Sequence, residues 1–207
     1  ATAGVDYTAT NGTLTISAGS TTGTIGITVL SDSIYENDET VTMTLSSASN
    51  ATISDATGTF TITNDESAPT VSLTTSASTI DENGGGSITI TATASVATYE
   101  NISVPITMSG TATEGTDYNN GSTVSDITIS AGATTGTATL TPVADTDFEG
   151  GSETAIINIT VSGGGASENG SQSETITITN EALDSGTQAT YNSSLASTAE
   201  TYPELTN

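Results

Sequence analysis

The sequence predicts an all-β protein made of two related modules, on three observations. Apolar and β-branched residues alternate with Thr and Ser at period two along most of the chain, the pattern of half-buried strands. Turn signals interrupt the pattern at Asn11-Gly12, Ala18-Gly19, Gly84-Gly85-Gly86, Asn120-Gly121 and Gly163-Gly164-Gly165. The chain also repeats itself. ATAGVDY at 1–7 matches ATEGTDY at 112–118, LTISAGSTTGT at 14–24 matches ITISAGATTGT at 127–137, and GTFTITND at 58–65 matches SETITITNE at 173–181. The offset grows in small steps, as it does when insertions fall in loops.

Taken in order, strands are expected near 12–17, 23–30, 39–46 and 57–64 in the first module. The second module should have them near 70–75, 86–94, 102–109, 123–130, 135–143, 153–162 and 173–180. Seven short strands with turn signals between them read as an antiparallel, immunoglobulin-like β-sandwich. Residues 1–66 have no counterpart of 71–110, so the first sandwich lacks its N-terminal strands. The second module covers 67–181, and the Ser/Thr-rich stretch 182–207 reads as a linker, a tail or the start of a further module. The connection at 64–69 is short, which favours modules stacked end to end.

Charge narrows the function. Lys, Arg and His are absent and Asp plus Glu number 24, a formal charge of −24. No internal salt bridge is expected. Nucleic-acid backbones and anionic membrane surfaces need basic side chains, so neither is an expected partner. Catalysis by a His, Lys or Cys base or nucleophile is unavailable, and an enzyme is not expected. Cys is absent, which removes disulfides and thiolate metal sites. No apolar run approaches the ~18 residues of a membrane-spanning helix.

The acidic residues are not scattered evenly. Asp32, Glu36 and Glu39 share one loop between strands, and Asp65-Glu66 ends a strand. Like charges a few ångströms apart repel by ~1–4 kcal/mol per pair at dielectrics between water and protein surface. With no Lys or Arg to relieve them, a divalent cation held by oxygen ligands is the natural counter-charge. The stretch 145–150 imitates the start of an EF-hand loop, but the twelfth position is Ile156 and the flanks read as strands. That reading is set aside. N-x-[ST] sequons occur at Asn11, Asn50, Asn101, Asn120, Asn158, Asn169 and Asn192, and a chain so rich in Ser and Thr collects several by chance.

These motifs together resemble the Calx-beta domain, a family found in sodium–calcium exchangers and in large bacterial surface proteins. The second module shows GTATEGTDY at 110–118, Ala131-Gly132, DTDFE at 145–149 and Asn180-Glu181. The first shows AGVDY at 3–7, DSIYENDE at 32–39 and Asn64-Asp65-Glu66. The resemblance implies a seven-stranded sandwich and, as in some members, calcium at one pole. It implies ligands at Asp6, Asp32, Glu36, Glu39, Asp65 and Glu66 in the first module. In the second it implies Glu82, Asp117, Asp145, Glu149, Glu153 and Glu181. The extra residue within Gly150-Gly151-Ser152 is expected to displace Glu153. Tyr7 and Tyr118 are expected at a sandwich corner, and Tyr35 and Phe148 in the core.

The function expected is a non-catalytic, calcium-stiffened repeat of an extracellular, cell-surface stalk, adhesin or filament. Its partners would be neighbouring repeats or identical subunits, with a surface or glycan receptor beyond them. Two alternatives are kept: a filament subunit whose open first sandwich is completed by a neighbour's strands, and a ligand-binding adhesin tip.

Overall fold

A computed structural model describes residues 1–144 and 151–179. Every regular element among them is a strand, so the chain is all-β. The first repeat contributes β1 (Ile34–Tyr35), β2 (Glu39–Thr44) and β3 (Thr57–Ile62). The second contributes β4 (Thr70–Thr75), β5 (Thr79–Asp81), β6 (Ile88–Ala94), β7 (Ala97–Thr98), β8 (Ile102–Val104) and β9 (Ile106–Gly110). It continues with β10 (Ile127–Ile129), β11 (Thr135–Leu140), β12 (Glu153–Ile159), β13 (Ser167–Glu168) and β14 (Ser173–Thr179).

In the second repeat two four-stranded sheets form, ordered β11-β6-β4-β13 and β5-β14-β12-β9, with β10 pairing β8 beside them. Alternation sends one face of each strand inward. Val71, Leu73, Ile88, Ile90 and Ala92 from one sheet meet Ala155, Ile157, Ile159, Ile176 and Ile178 from the other in one buried cluster. Burial of each large aliphatic side chain favours the fold by ~1.5–3 kcal/mol. The intervening Thr residues form the wet face, which is why the strands read as alternating.

The expected strand 102–109 is two strands. Pro105 has no N–H to give a ladder. On one side β8 pairs β10, and on the other β9 pairs β12. The Ile106 amide turns instead to Asp126 Oδ1 at 2.9 Å. The chain therefore changes sheet at Pro105, a signal visible in the sequence.

The first repeat departs further from expectation. Only β2 and β3 form a full ladder there. The strands expected at 12–17 and 23–30 do not form. Their counterparts β10 and β11 are held by β8 and β6, and residues 1–66 hold no equivalent of either. The path is nonetheless retained. Thr8 N donates to Thr28 O at 2.8 Å and Leu30 N to Asp6 O at 2.9 Å, as Asn119 N does to Thr141 O and Val143 N to Asp117 O in the second repeat. A Cβ on Gly23 would lie 2.8 Å from Thr15 O, and one on Gly136 2.5 Å from Thr128 O, so both hairpins approach as closely.

The repeats touch. β1 runs parallel to β7, and Tyr99 N donates to Tyr35 O at 3.2 Å. Asn37 Nδ2 donates to the Tyr99 hydroxyl. Tyr35 is not a core residue of its own repeat. Its ring lies against Gly165, where an added Cβ would stand 2.5 Å from Cε1. Tyr118 is buried as expected of a corner residue and Tyr7 is half-buried. Phe148 lies outside the described residues.

Candidate metal centre

The acidic pole of the first repeat is assembled from three pieces of chain. The first is the tight loop 2–7. Thr2 N donates to Asp6 Oδ2, Asp6 N donates to Thr2 O at 2.9 Å, and Gly4 at φ +87° lets the Gly4 amide reach Tyr7 O at 2.8 Å. These bonds bury Asp6 and fix its carboxylate. The loop 113–118 is built alike: Thr113 N donates to Asp117 Oδ2, Gly115 has φ +88°, and Asp117 is buried.

The second piece is the loop 32–39. Asp32 Oδ1 accepts from Ile34 N at 2.7 Å, which tightens the entry to β1. Glu39 opens β2 opposite Ile62. The third piece is 64–66, tied to the second through Asn64. Its Oδ1 accepts from Glu36 N at 3.0 Å, its amide donates to Asp38 Oδ1 at 2.9 Å, and its Nδ2 donates to Glu66 O at 2.9 Å. Asn64 was not among the expected site residues. The Asn-Asp-Glu run carried the signal, since an Asn before two acids can clamp both strands of the pole.

Asp6, Glu36 and Glu39 each place a carboxylate oxygen within 4.8 Å of the others. Oxygens bound to one calcium at ~2.3–2.6 Å cannot lie more than about 5 Å apart, so these three can share an ion without rearrangement. Asp32, Asp65 and Glu66 line the same cavity. All six expected residues of the first repeat therefore face one cavity, three of them at ligand spacing. Burial pushes the Glu36 carboxyl above its ordinary value, and the charges of Asp32, Asp6, Glu39 and Glu66 add to the rise in that order. Among the described residues one ion pair forms, between the Ala1 amine and Glu39 Oε1 at 3.3 Å. It corrects the expectation that no ion pair would form. That amine also donates to Thr40 O at 3.4 Å, as Ala112 N does to Thr154 O at 3.0 Å in the second repeat.

A raised carboxyl has a definite pH consequence. Glu36 binds its proton more tightly folded than unfolded, so its contribution to stability is complete below the ordinary value of 4.5 and is lost as pH rises through the raised one. In chelator, the thermal midpoint of the first repeat should increase as pH falls from about 7 to about 5. Glu36→Gln should flatten that slope; an equal slope in the variant would assign the effect to other groups.

In the second repeat, Asp117 and Glu82 are buried and Glu153 opens β12. Glu153 is not displaced by the extra residue. It pairs with Ile178 as Glu39 pairs with Ile62, so the two residues open their strands in the same register. Glu82 N donates to Thr179 O at 3.0 Å at the end of β5. Asp145, Glu149 and Glu181 lie outside the described residues, as does the stretch 182–207. Ile156 sits inside β12, opposite Thr175, a place no EF-hand loop position could take. Among the described residues, the three-carboxylate cluster occurs in the first repeat.

The comparison with protein families points the same way as the repeat. The profile of the Calx-beta domain matches residues 1–66 and 64–182. Among solved structures the chain is similar to an apo-form Calx CBD1 domain, at 19% identity and TM-score 0.44, over 55% of this chain and 99% of that one. It is also similar to CBD12 from CALX1.2, at 14% identity and TM-score 0.40, over 75% of this chain and 72% of that one. No curated protein matches it significantly.

Proposed function

The chain belongs to the Calx-beta domain family, and from that premise we propose that it is a non-catalytic, calcium-binding repeat unit of an extracellular stalk, adhesin or filament. The observation that carries the calcium reading is the convergence of Asp6, Glu36 and Glu39 at ligand spacing in a chain with no basic side chain to neutralise them. Asp32, Asp65 and Glu66 complete the first-repeat ligand set. Glu82, Asp117, Asp145, Glu149, Glu153 and Glu181 form its counterpart in the second.

The same loop connects the metal to the architecture. Residues 32–39 carry three of the acidic groups and also β1, which pairs with β7 of the next repeat. Filling the cavity would fix that loop and with it the contact between repeats. A row of such units would be stiff with calcium and looser without it, which suits a load-bearing surface structure. Neighbouring repeats or identical subunits are the partners this reading needs, and a receptor would be met elsewhere on the assembly.

Calorimetric titration tests the site directly. The wild-type chain should take up calcium, magnesium should bind more weakly, and the double variant D6N/E36Q should lose the first-repeat heat. Equal uptake by wild type and variant would remove this cluster as the site.

A further inference from the structure

The sequence holds four Asn-Gly steps, at 11–12, 83–84, 120–121 and 169–170. At such a step the glycine amide nitrogen can attack the Asn side-chain carbon, because glycine has no Cβ to hinder the approach. The attack needs an amide free to lose its proton and a side chain free to turn, with the reacting atoms brought to about 3–3.5 Å. At two of the steps the fold withholds both. The Gly84 amide donates to Asp81 Oδ1 at 3.0 Å, the Asn83 amide donates to the same oxygen at 2.9 Å, and a Cβ on Gly84 would stand 2.9 Å from Asp81 Cβ. Asn169 is pinned through three atoms. Its N donates to Val71 O at 2.9 Å, its Nδ2 donates to Ser72 Oγ at 3.0 Å, and its O accepts from Gln172 Nε2. Asn11-Gly12 and Asn120-Gly121 differ. All four residues are exposed, and the space around both glycines is open. Among the described residues no hydrogen bond ties either Asn side chain or either glycine amide, although neighbouring Asn119 is held, its Oδ1 accepting from Thr141 N at 2.9 Å. Both free steps lie just after the twin loops that end in Asp6-Tyr7 and Asp117-Tyr118.

We infer that Asn11 and Asn120 are self-modification sites, converted with water to aspartate and isoaspartate, while hydrogen bonds protect Asn83 and Asn169. The deprotonated Gly121 nitrogen attacks Asn120 Cγ. The new N–Cγ bond closes a cyclic imide, the Cγ–Nδ2 bond breaks, and Nδ2 leaves as ammonia with the proton. Water then opens the imide at one carbonyl or the other, giving aspartate or isoaspartate. Gly12 does the same to Asn11. No oxidant or enzyme is needed. Each conversion turns a neutral amide into a carboxylate in a chain already at −24, and the isoaspartate form also lengthens the backbone by a methylene. At 120 that change falls on a packed turn. A Cβ on Gly115 would lie 3.5 Å from Gly121 N, and Gly115 belongs to the loop that fixes Asp117. The chain therefore grows more acidic with age, at matching places in its two repeats. The inference does not depend on calcium.

Peptide mass spectrometry tests it. Cleavage after Asp and Glu puts each step in its own peptide, 7–32, 83–100, 118–126 and 169–174. The full chain is aged at mildly alkaline pH, once folded and once in denaturant, and amide-to-acid conversion is followed in each peptide. Fragmentation assigns the acid to Asn120 and not Asn119, and to Asn169 and not Gln172. In the folded chain Asn11 and Asn120 should convert several-fold faster than Asn83 and Asn169. In denaturant the four rates should draw together, because the protecting bonds are gone. Ser72→Ala frees Asn169 Nδ2 and should speed conversion at Asn169 several-fold, with Asn83 as slow as before. Equal rates at all four steps of the folded chain, or the same ratios folded and in denaturant, would overturn the proposal. So would a Ser72→Ala chain no faster at Asn169. Should Ser72→Ala quicken Asn83 as well, the variant has loosened as a whole, and the folded-to-denatured ratio of the unsubstituted chain decides.

Discussion

Replacing Gly110 by Ala should destabilise the second repeat by on the order of 3 kcal/mol or more, lowering its thermal midpoint by about 10 °C. Two effects add. Gly110 has φ +114°, in a region that costs a residue with a Cβ ~1–3 kcal/mol. The added carbon would also stand 2.1 Å from Thr154 O and 2.9 Å from its carbonyl carbon. Both are backbone atoms of β12, so no rotamer relieves the overlap and the strands must part, at ~1–3 kcal/mol more. Gly121→Ala separates the two effects. Gly121 has φ +79° with nothing within 4 Å of the new carbon, so it carries the conformational cost alone. If the two variants lose the same stability by calorimetry, the close approach contributes nothing. The position matters beyond stability. Gly110 seats the start of 110–118 against the residue after Glu153, and Ala112 N bonds the same Thr154 carbonyl at 3.0 Å. Parting these strands would move buried Asp117 away from the mouth of β12.

That contact shows how far the sequence could be read. Period-two alternation located the longer strands of the second repeat, because each of these has a dry face and a wet face; the short β5, β7 and β13 were not expected. The repeat offsets proved structural: Glu39 opposite Ile62 and Glu153 opposite Ile178 are one register written twice. The same alternation misled at 12–17 and 23–30. Ile16 and Ile25 carry the strand pattern yet stay exposed, because alternation reports which face would be buried, not whether anything covers it. The strand expected at 102–109 ran straight through Pro105, a residue that breaks a ladder, and that the chain passes there from one sheet to the other is a property of two partners, β10 and β12, distant in sequence. Among the acidic residues, loop position brought Asp32, Glu36 and Glu39 together on paper. Asp6 joined them only through the family resemblance; in the fold it is placed beside them by the Leu30 amide's hydrogen bond to Asp6 O at 2.9 Å. Asn64 was missed because its work is to bind three backbone and side-chain groups at once, and no local pattern records that. Tyr35 was read as core because it is aromatic and flanked by acids; its packing surface, Gly165, lies in the other repeat.

Calcium at about one hundred times its dissociation constant should stabilise the first repeat by about 2.7 kcal/mol, and chelator should remove that gain. The reason lies in what the carboxylates of this pole cost one another. Asp6, Glu36 and Glu39 hold oxygens within 4.8 Å, and Glu36 has its carboxyl raised by burial and by the charges of four acidic neighbours. Repulsion of ~1–4 kcal/mol per close pair is carried by a unit with few buried apolar residues: Val41 is the one core residue of 1–66 among the described residues. Such a unit has little stability to spare, so ion binding should decide whether it is ordered. Screening alone predicts a different response. Sodium chloride at matched ionic strength weakens all carboxylate repulsion and should raise the midpoint of wild type and of Glu36→Gln alike. A bound ion should raise wild type far more than Glu36→Gln, and calcium should act at concentrations where the sodium salt does nothing. Acid should reverse the gain, because protons and calcium compete for Glu36: the calcium-dependent shift should shrink as pH falls through the raised value, while the chelated form grows more stable over the same interval. Differential scanning calorimetry at two pH values, with calcium and with chelator, reads both slopes together. Parallel slopes would mean that calcium acts on the net charge of the chain and not at this pole.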